Sequence, residues 1–168
     1  MYSMHGIFCS YCIIFPLLGI LTSVIVMSDT EQYLSFLLAA TQLTQYKLTL
    51  CLEKAASHSL KSTLKKQISE FDRIEYEIQS AASRRFWDLK ELDTGTKQFK
   101  SLGFYFRLNH HKLDSQIAAM SIRLYTDNLI SVLKSSRSAD TQDPQTLTIL
   151  QKLIDYHMVT VRQLLSYL

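Results

Sequence analysis

The sequence predicts an all-α protein, an antiparallel four-helix bundle with an extra apolar N-terminal segment, and three observations carry that prediction. Only four glycines and two prolines occur in 168 residues, so long stretches run without a helix breaker. Within those stretches apolar residues recur every three to four positions, the period of a helix with one buried face. The junctions are short or carry capping residues, and short junctions make successive helices antiparallel. A chain of this length can bury a core without disulfide or metal staples.

Residues 1–27 stand apart as an apolar segment from residues 28–168, the bundle domain. Ile7 to Met27 is apolar apart from a few Ser, Thr, Tyr and Cys, and it is long enough to span a bilayer at about 20 residues per crossing. No Lys or Arg precedes Lys47, and no Ala-x-Ala site follows the run. The marks of a signal peptide and of membrane orientation are therefore missing. Ser28 and Glu31 have the spacing of a capping box, which would open a tidy domain from a start at Met27. A mis-assigned start, a membrane anchor and a cleaved signal are three readings of the same run.

The first helix is expected over about Asp29 to Ala55, with Leu34, Leu37, Leu38, Leu48 and Leu52 on one broad face. Phe36 and Leu43 lie outside that face and give the helix more apolar surface than one seam requires, which points to a homodimer. Ser57 is placed to cap the second helix, whose inward face is Leu60, Leu64, Ile68, Phe71, Ile78 and Ala82, with Lys61, Lys65, Lys66, Asp72, Arg73 and Glu77 mostly on the others. From Asp88 to about Asn109 the pattern loosens, with Thr94-Gly95-Thr96 and Gly103 as breaks. This stretch reads as a crossing connection with a short helix inside it, packed by Phe99, Phe104, Tyr105 and Phe106.

The third helix is expected over roughly Lys112 to Lys134, with Leu113, Ile117, Met120, Leu124, Leu129 and Val132 inward. A polar loop from Ser135 to Asp143 follows, and Asp143-Pro144 then reads as an N-cap acid with proline at the first helical position. In the fourth helix Leu147, Leu150, Ile154, His157, Val161, Leu164 and Leu168 form a packing seam with one polar member.

Chemistry is sparse. A di-iron centre in a four-helix bundle needs a Glu on each of two helices and a Glu-x-x-His pair on each of the other two. Glu70, Glu75 and Glu77 have no His three residues later, and the residue three before His157 is Ile154, so both pairs are missing. His157 reads as a core or rim histidine bonded to a carbonyl or a Tyr hydroxyl, with metal binding through nearby acids as the rival reading. His110 and His111 are adjacent and do not face each other. Tyr46, Tyr76, Tyr125 and Tyr156 read as boundary packing, an apolar ring with a wet hydroxyl.

Cys51 has Lys47 and Lys54 as the basic neighbours on its own helical face that could lower its thiol pKa. Cys9 and Cys12 have redox spacing without a strand-then-helix context, and three scattered cysteines make no disulfide framework. No Gly-rich phosphate loop, nucleophile elbow or metalloprotease helix occurs in the sequence. The net charge of +3 comes from mixed charges without a basic block, which leaves nucleic acid no electrostatic footprint. The chain reads as non-enzymatic, with no cofactor and no metal.

The segment from Leu48 to Trp87, LTLCLEKAASHSLKSTLKKQISEFDRIEYEIQSAASRRFW, resembles the spore coat protein F family. Glu53-Lys54-Ala55 stands where that family has the end of a helix, Ser57 stands at its turn, and Leu60-Lys61 at its Leu-Arg. Phe71, Ile74 and Ile78 match its spaced apolar residues, and Arg84-Arg85-Phe86-Trp87 its closing basic and aromatic string. Arg85 takes the place of a glycine in the family pattern, the aromatics are Phe-Trp rather than Trp-Tyr or Tyr-Tyr, and the turn lacks its proline.

The resemblance implies a ferritin-like bundle without metal ligands, a non-catalytic structural or assembly protein acting through protein contacts in sporulation. Its partners would be coat proteins or a second copy, its location the cytoplasm or the spore coat, and its candidate interaction residues Arg84, Arg85, Phe86 and Trp87. The rival readings are a membrane-anchored interaction module held by Ile7 to Met27, and a ferritin-like metal carrier using His157. Phe86 and Trp87 have a plainer reading too, as plugs for the end of the bundle.

Overall fold

The computed structural model describes residues 29–138 and 143–168, and among them the chain is all-α, with five helices and a closing turn of 3-10 helix. The apolar run Ile7 to Met27, the capping residue Ser28, and Cys9 and Cys12 lie outside the described residues. Helix α1 (Asp29–Lys54) buries Leu34, Leu37, Leu38 and Leu48 completely, each worth about 2 kcal/mol as area removed from water. Its middle is buried and polar. Thr44 donates to the Ala40 carbonyl (2.8 Å), while Gln42 donates to Glu75 Oε1 (2.7 Å) and accepts from the Leu92 amide (2.8 Å). These partners let Gln42 and Thr44 stand within the apolar face between Leu38 and Leu48.

Ser57 caps α2 (His58–Ser83), its hydroxyl accepting from the Leu60 amide at 3.2 Å. Asp93 caps α3 (Thr94–Asn109), accepting from the amide (2.9 Å) and the hydroxyl (2.5 Å) of Thr96. Thr94-Gly95-Thr96 is therefore the first turn of a sixteen-residue helix and not a break. Helix α4 (Asp114–Ser138) continues through the first part of the expected polar loop. At the start of α5 (Pro144–Leu164) Asp143 accepts from the Thr146 amide (2.8 Å) and hydroxyl (2.6 Å). The chain closes with a 3-10 turn, Leu165–Tyr167.

Pairings between helices fix their directions. Gln42 meets Glu75 and Gln45 meets Asp72, so α1 and α2 are antiparallel. At one end of α1 the Ala56 and Ser57 amides donate to the Asp114 carboxylate (2.7 and 2.8 Å), and at the other end Tyr33 lies beside Ser136, so α4 also runs antiparallel to α1. Lys152 reaches Glu77 (2.8 Å), Tyr156 donates to the Gln67 carbonyl (2.8 Å), and Tyr167 shares a hydrogen bond with Thr63 (2.8 Å), which sets α5 antiparallel to α2. Helix α5 packs on α4 and closes the cycle α1–α2–α5–α4, while α3 lies outside it against α1.

Three inward assignments change. Leu113 is exposed, because α4 begins after it and turns Asp114 toward the α1–α2 junction. Leu147 and Leu168 are exposed as well, and Thr146, Leu153 and Thr160 take the inner face beside Leu150, His157 and Leu164. Two flanks at helical spacing compete to accompany the 150–157–164 row. The 146–153–160 flank faces the interior, leaving Ile154 and Val161 half-buried. Tyr125, expected at the boundary, is fully buried, whereas Tyr76 is exposed.

Candidate functional site

Four residues at the end of α2 form a corner whose parts play different roles. The Phe86 amide donates to the Ser83 carbonyl (3.0 Å) and the Trp87 amide to the Ala82 carbonyl (3.1 Å). This is the paired arrangement of a helix stop that places one residue in the left-handed region. That residue is Phe86, with φ of 59° and a ring 96% exposed. Such a conformation favours glycine, and a bulky side chain in it costs roughly 1–2 kcal/mol. The helix therefore ends at Ser83.

Arg85 and Trp87 hold the corner in place. Arg85 forms an ion pair with Asp143 at the head of α5, donates to the Ala81 carbonyl (2.9 Å), and lies over the Trp87 ring at 5.3 Å. Burial works against a charge on Asp143, but the Thr146 hydroxyl and amide and the Arg85 guanidinium outweigh it and hold the carboxyl below its ordinary value. Trp87 packs against the core. Of the two aromatics, then, Trp87 is half-buried against the core and Phe86 stands in solvent. Arg84 is exposed beside Glu77 and Lys152.

His157 is buried among the rings of Phe71, Tyr125 and Tyr156, each met nearly edge-on at 5.3 to 6.3 Å. Its Nδ1 donates to the Leu153 carbonyl (2.7 Å), which leaves Nε2 to accept from Asn128 Nδ2 (2.9 Å). Both nitrogens are thus used by the neutral ring. Burial pushes its pKa down to about 4. Tyr125 donates to Gln67 Oε1 (3.1 Å) in the same cluster. Among the described residues no group of three or more His, Cys, Asp or Glu side chains is placed to hold a metal ion.

Cys51 is buried, and burial raises its thiol to about 11, the reverse of the lowering considered from Lys47 and Lys54. His110 is exposed, and both His110 and His111 belong to the short link after α3.

Helix α3 carries the features that composition and periodicity did not reveal. Ser101, Phe104 and Leu108 face inward, while Phe99, Leu102 and Phe106 face outward, with exposures of 77%, 45% and 62%. The outward residues stand at i, i+3 and i+7 and form a second apolar stripe on the same helix. Their spacing was the available signal, hidden by reading the segment as a connection. Phe36 and Leu43, the spare surface expected on the first helix, instead line a cavity of about 330 Å³ walled by α1, α3 and α4. Compared with known protein families, with characterised proteins and with solved structures, the chain matches none of them.

Proposed function

We propose that this chain is a non-catalytic assembly protein that works through protein contacts, of the kind its resemblance to spore coat F proteins implies. The observation that carries the reading is the large apolar surface left in solvent on consecutive elements, Phe86 at the end of α2 and Phe99, Leu102 and Phe106 along α3. Large apolar side chains held in water, and above all several on one helix face as on α3, mark interaction sites. A second copy of the chain is the partner assigned to the α3 stripe, and coat proteins are assigned to the Phe86 corner.

The fold is read, as part of the same proposal, as an antiparallel four-helix bundle of ferritin-like connectivity. In support, neighbours around the α1–α2–α5–α4 cycle pair antiparallel, and α2 connects to α4 by one long crossover containing α3, the single long connection of ferritin-like folds. Metal carriage through His157 is disfavoured by the two hydrogen bonds that use both ring nitrogens.

Immunoblotting of cytosolic, membrane and spore-coat fractions tests the proposal in the native organism. A band extracted with the coat is the expected result. A full-length band confined to membranes would replace it with the anchored module, since residues 7–27 would then act as an anchor while no helix among the described residues is long and apolar enough to cross a membrane.

A further inference from the structure

The cavity between α1, α3 and α4 carries its cations toward one end. The antiparallel register of α1 and α4 sets Phe36, Ala40 and Leu43 at one end and Lys47 at the other, beside Arg107 of α3 and Arg123 of α4. Lys100 adds a further cation to the lining, and Asp127, paired with Arg123 at 3.7 Å, is its one carboxylate. Lys47 is half-buried, its ammonium 5.8 Å from the centre of the Phe104 ring. The lining holds four cations against one anion; Phe104, Met120 and Leu124 give it a buried apolar floor, and Thr44, Asn128 and Ser131 add neutral polar groups.

From this geometry we infer that the cavity binds a medium-chain fatty carboxylate, its alkyl chain along Phe36, Ala40 and Leu43 and its headgroup between Lys47 and Arg107. Three features select this ligand. The cavity of about 330 Å³ falls in the range of small-molecule sites. The helix from Phe36 to Lys47 extends about 16 Å, the reach of roughly a dozen staggered methylenes. The excess positive charge sits toward one end, which favours a single anionic head on an apolar tail over a neutral or cationic one. A guanidinium at Arg107 offers a carboxylate two parallel donors, and the Lys47 ammonium adds a point charge beside it.

Calorimetric titration of the full chain with dodecanoate, dodecanol and dodecyltrimethylammonium tests the inference. Dodecanoate is expected to bind one per chain and at least tenfold more tightly than either analogue. Arg107→Gln, at an exposed position, should weaken dodecanoate at least fivefold and leave dodecanol unchanged. Ala40→Trp, which fills the apolar end, should abolish binding while circular dichroism shows the helices intact. Equal binding of dodecanoate and dodecanol, or no binding by the folded chain, would overturn the inference. Unaltered binding in folded Ala40→Trp would do the same. None of these results bears on the assembly surfaces, which lie outside the cavity.

Discussion

Phe86 combines two unfavourable features, a left-handed backbone and a ring held in water. A folded chain keeps such a residue only where its surroundings over-determine it, and here the surroundings are the helix-stop hydrogen bonds and the Arg85–Asp143 pair. Phe86→Gly is expected to raise the unfolding free energy by about 0.5–1 kcal/mol, because glycine relieves the strain while loosening the unfolded chain. Urea denaturation checks this, and a loss of stability would show that the ring packs on something in the isolated protein.

His157 makes a second prediction at this scale. Its folded pKa, about 4, lies below the ordinary value of 6.5, so as pH falls the unfolded chain takes up a proton before the folded one does. Stability is therefore fully retained above the unfolded value and declines as pH falls from there toward the folded one, by about 2 kcal/mol between about pH 7 and about pH 5. Denaturation curves of wild type and His157→Gln at the two pH values check it. The variant should start less stable and show a flatter pH dependence. That His157 would be a core or rim histidine bonded to a carbonyl or a Tyr hydroxyl was legible in the sequence, and the structure buries it with the Leu153 carbonyl as partner. Its other partner, Asn128, was not, because that contact depends on how α4 and α5 pack together.

At the scale of the element, helix starts were legible because capping is local. Ser57 and Asp143 each precede their helix and bond an amide three residues on, where residue type and spacing suffice to mark them. The inward phase of α5 was less legible, since Thr146 and Thr160 face the interior and hydropathy alone ranks Leu147 and Val161 above them. Helix α3 was under-read for a similar reason. Its cap, Asp93 to Thr96, has the same form as the cap of α5, but two glycines inside the helix masked the continuation.

Asp143 serves two elements at once, as the N-cap of α5 and as the partner of Arg85 at the end of α2. Replacing it with alanine is expected to cost about 2 kcal/mol, roughly half from the cap and the rest from the pair, whereas Ser57→Ala should cost about 1 kcal/mol. Because the Asp143 carboxyl is held below its ordinary value, its contribution is present above that value and is lost as pH falls through the folded one. Melting curves taken in acid check the sign, with Asp143→Ala showing the smaller loss. Asp114, lowered by bonds from Ser57 and Ala56, should add to the same acid-side loss in wild type.

For the whole molecule, the apolar surface of the first helix was expected to drive dimerisation, and its location has moved. Phe36 and Leu43 face the α3 side, where they line the cavity, and the surface left in water is on α3 itself. The sequence allowed the all-helical class and the main junctions to be read because these depend on periodicity and caps. Which face of the crossover remains free depends on long-range packing, which no window of residues contains.

Sedimentation equilibrium of the full chain against Phe99→Ser/Phe106→Ser, at micromolar to millimolar concentration, tests the assembly reading most directly. The account predicts reversible association in the wild type and a folded monomer in the double variant. A wild type that stays monomeric throughout, or a double variant that associates as strongly as the wild type, would contradict it.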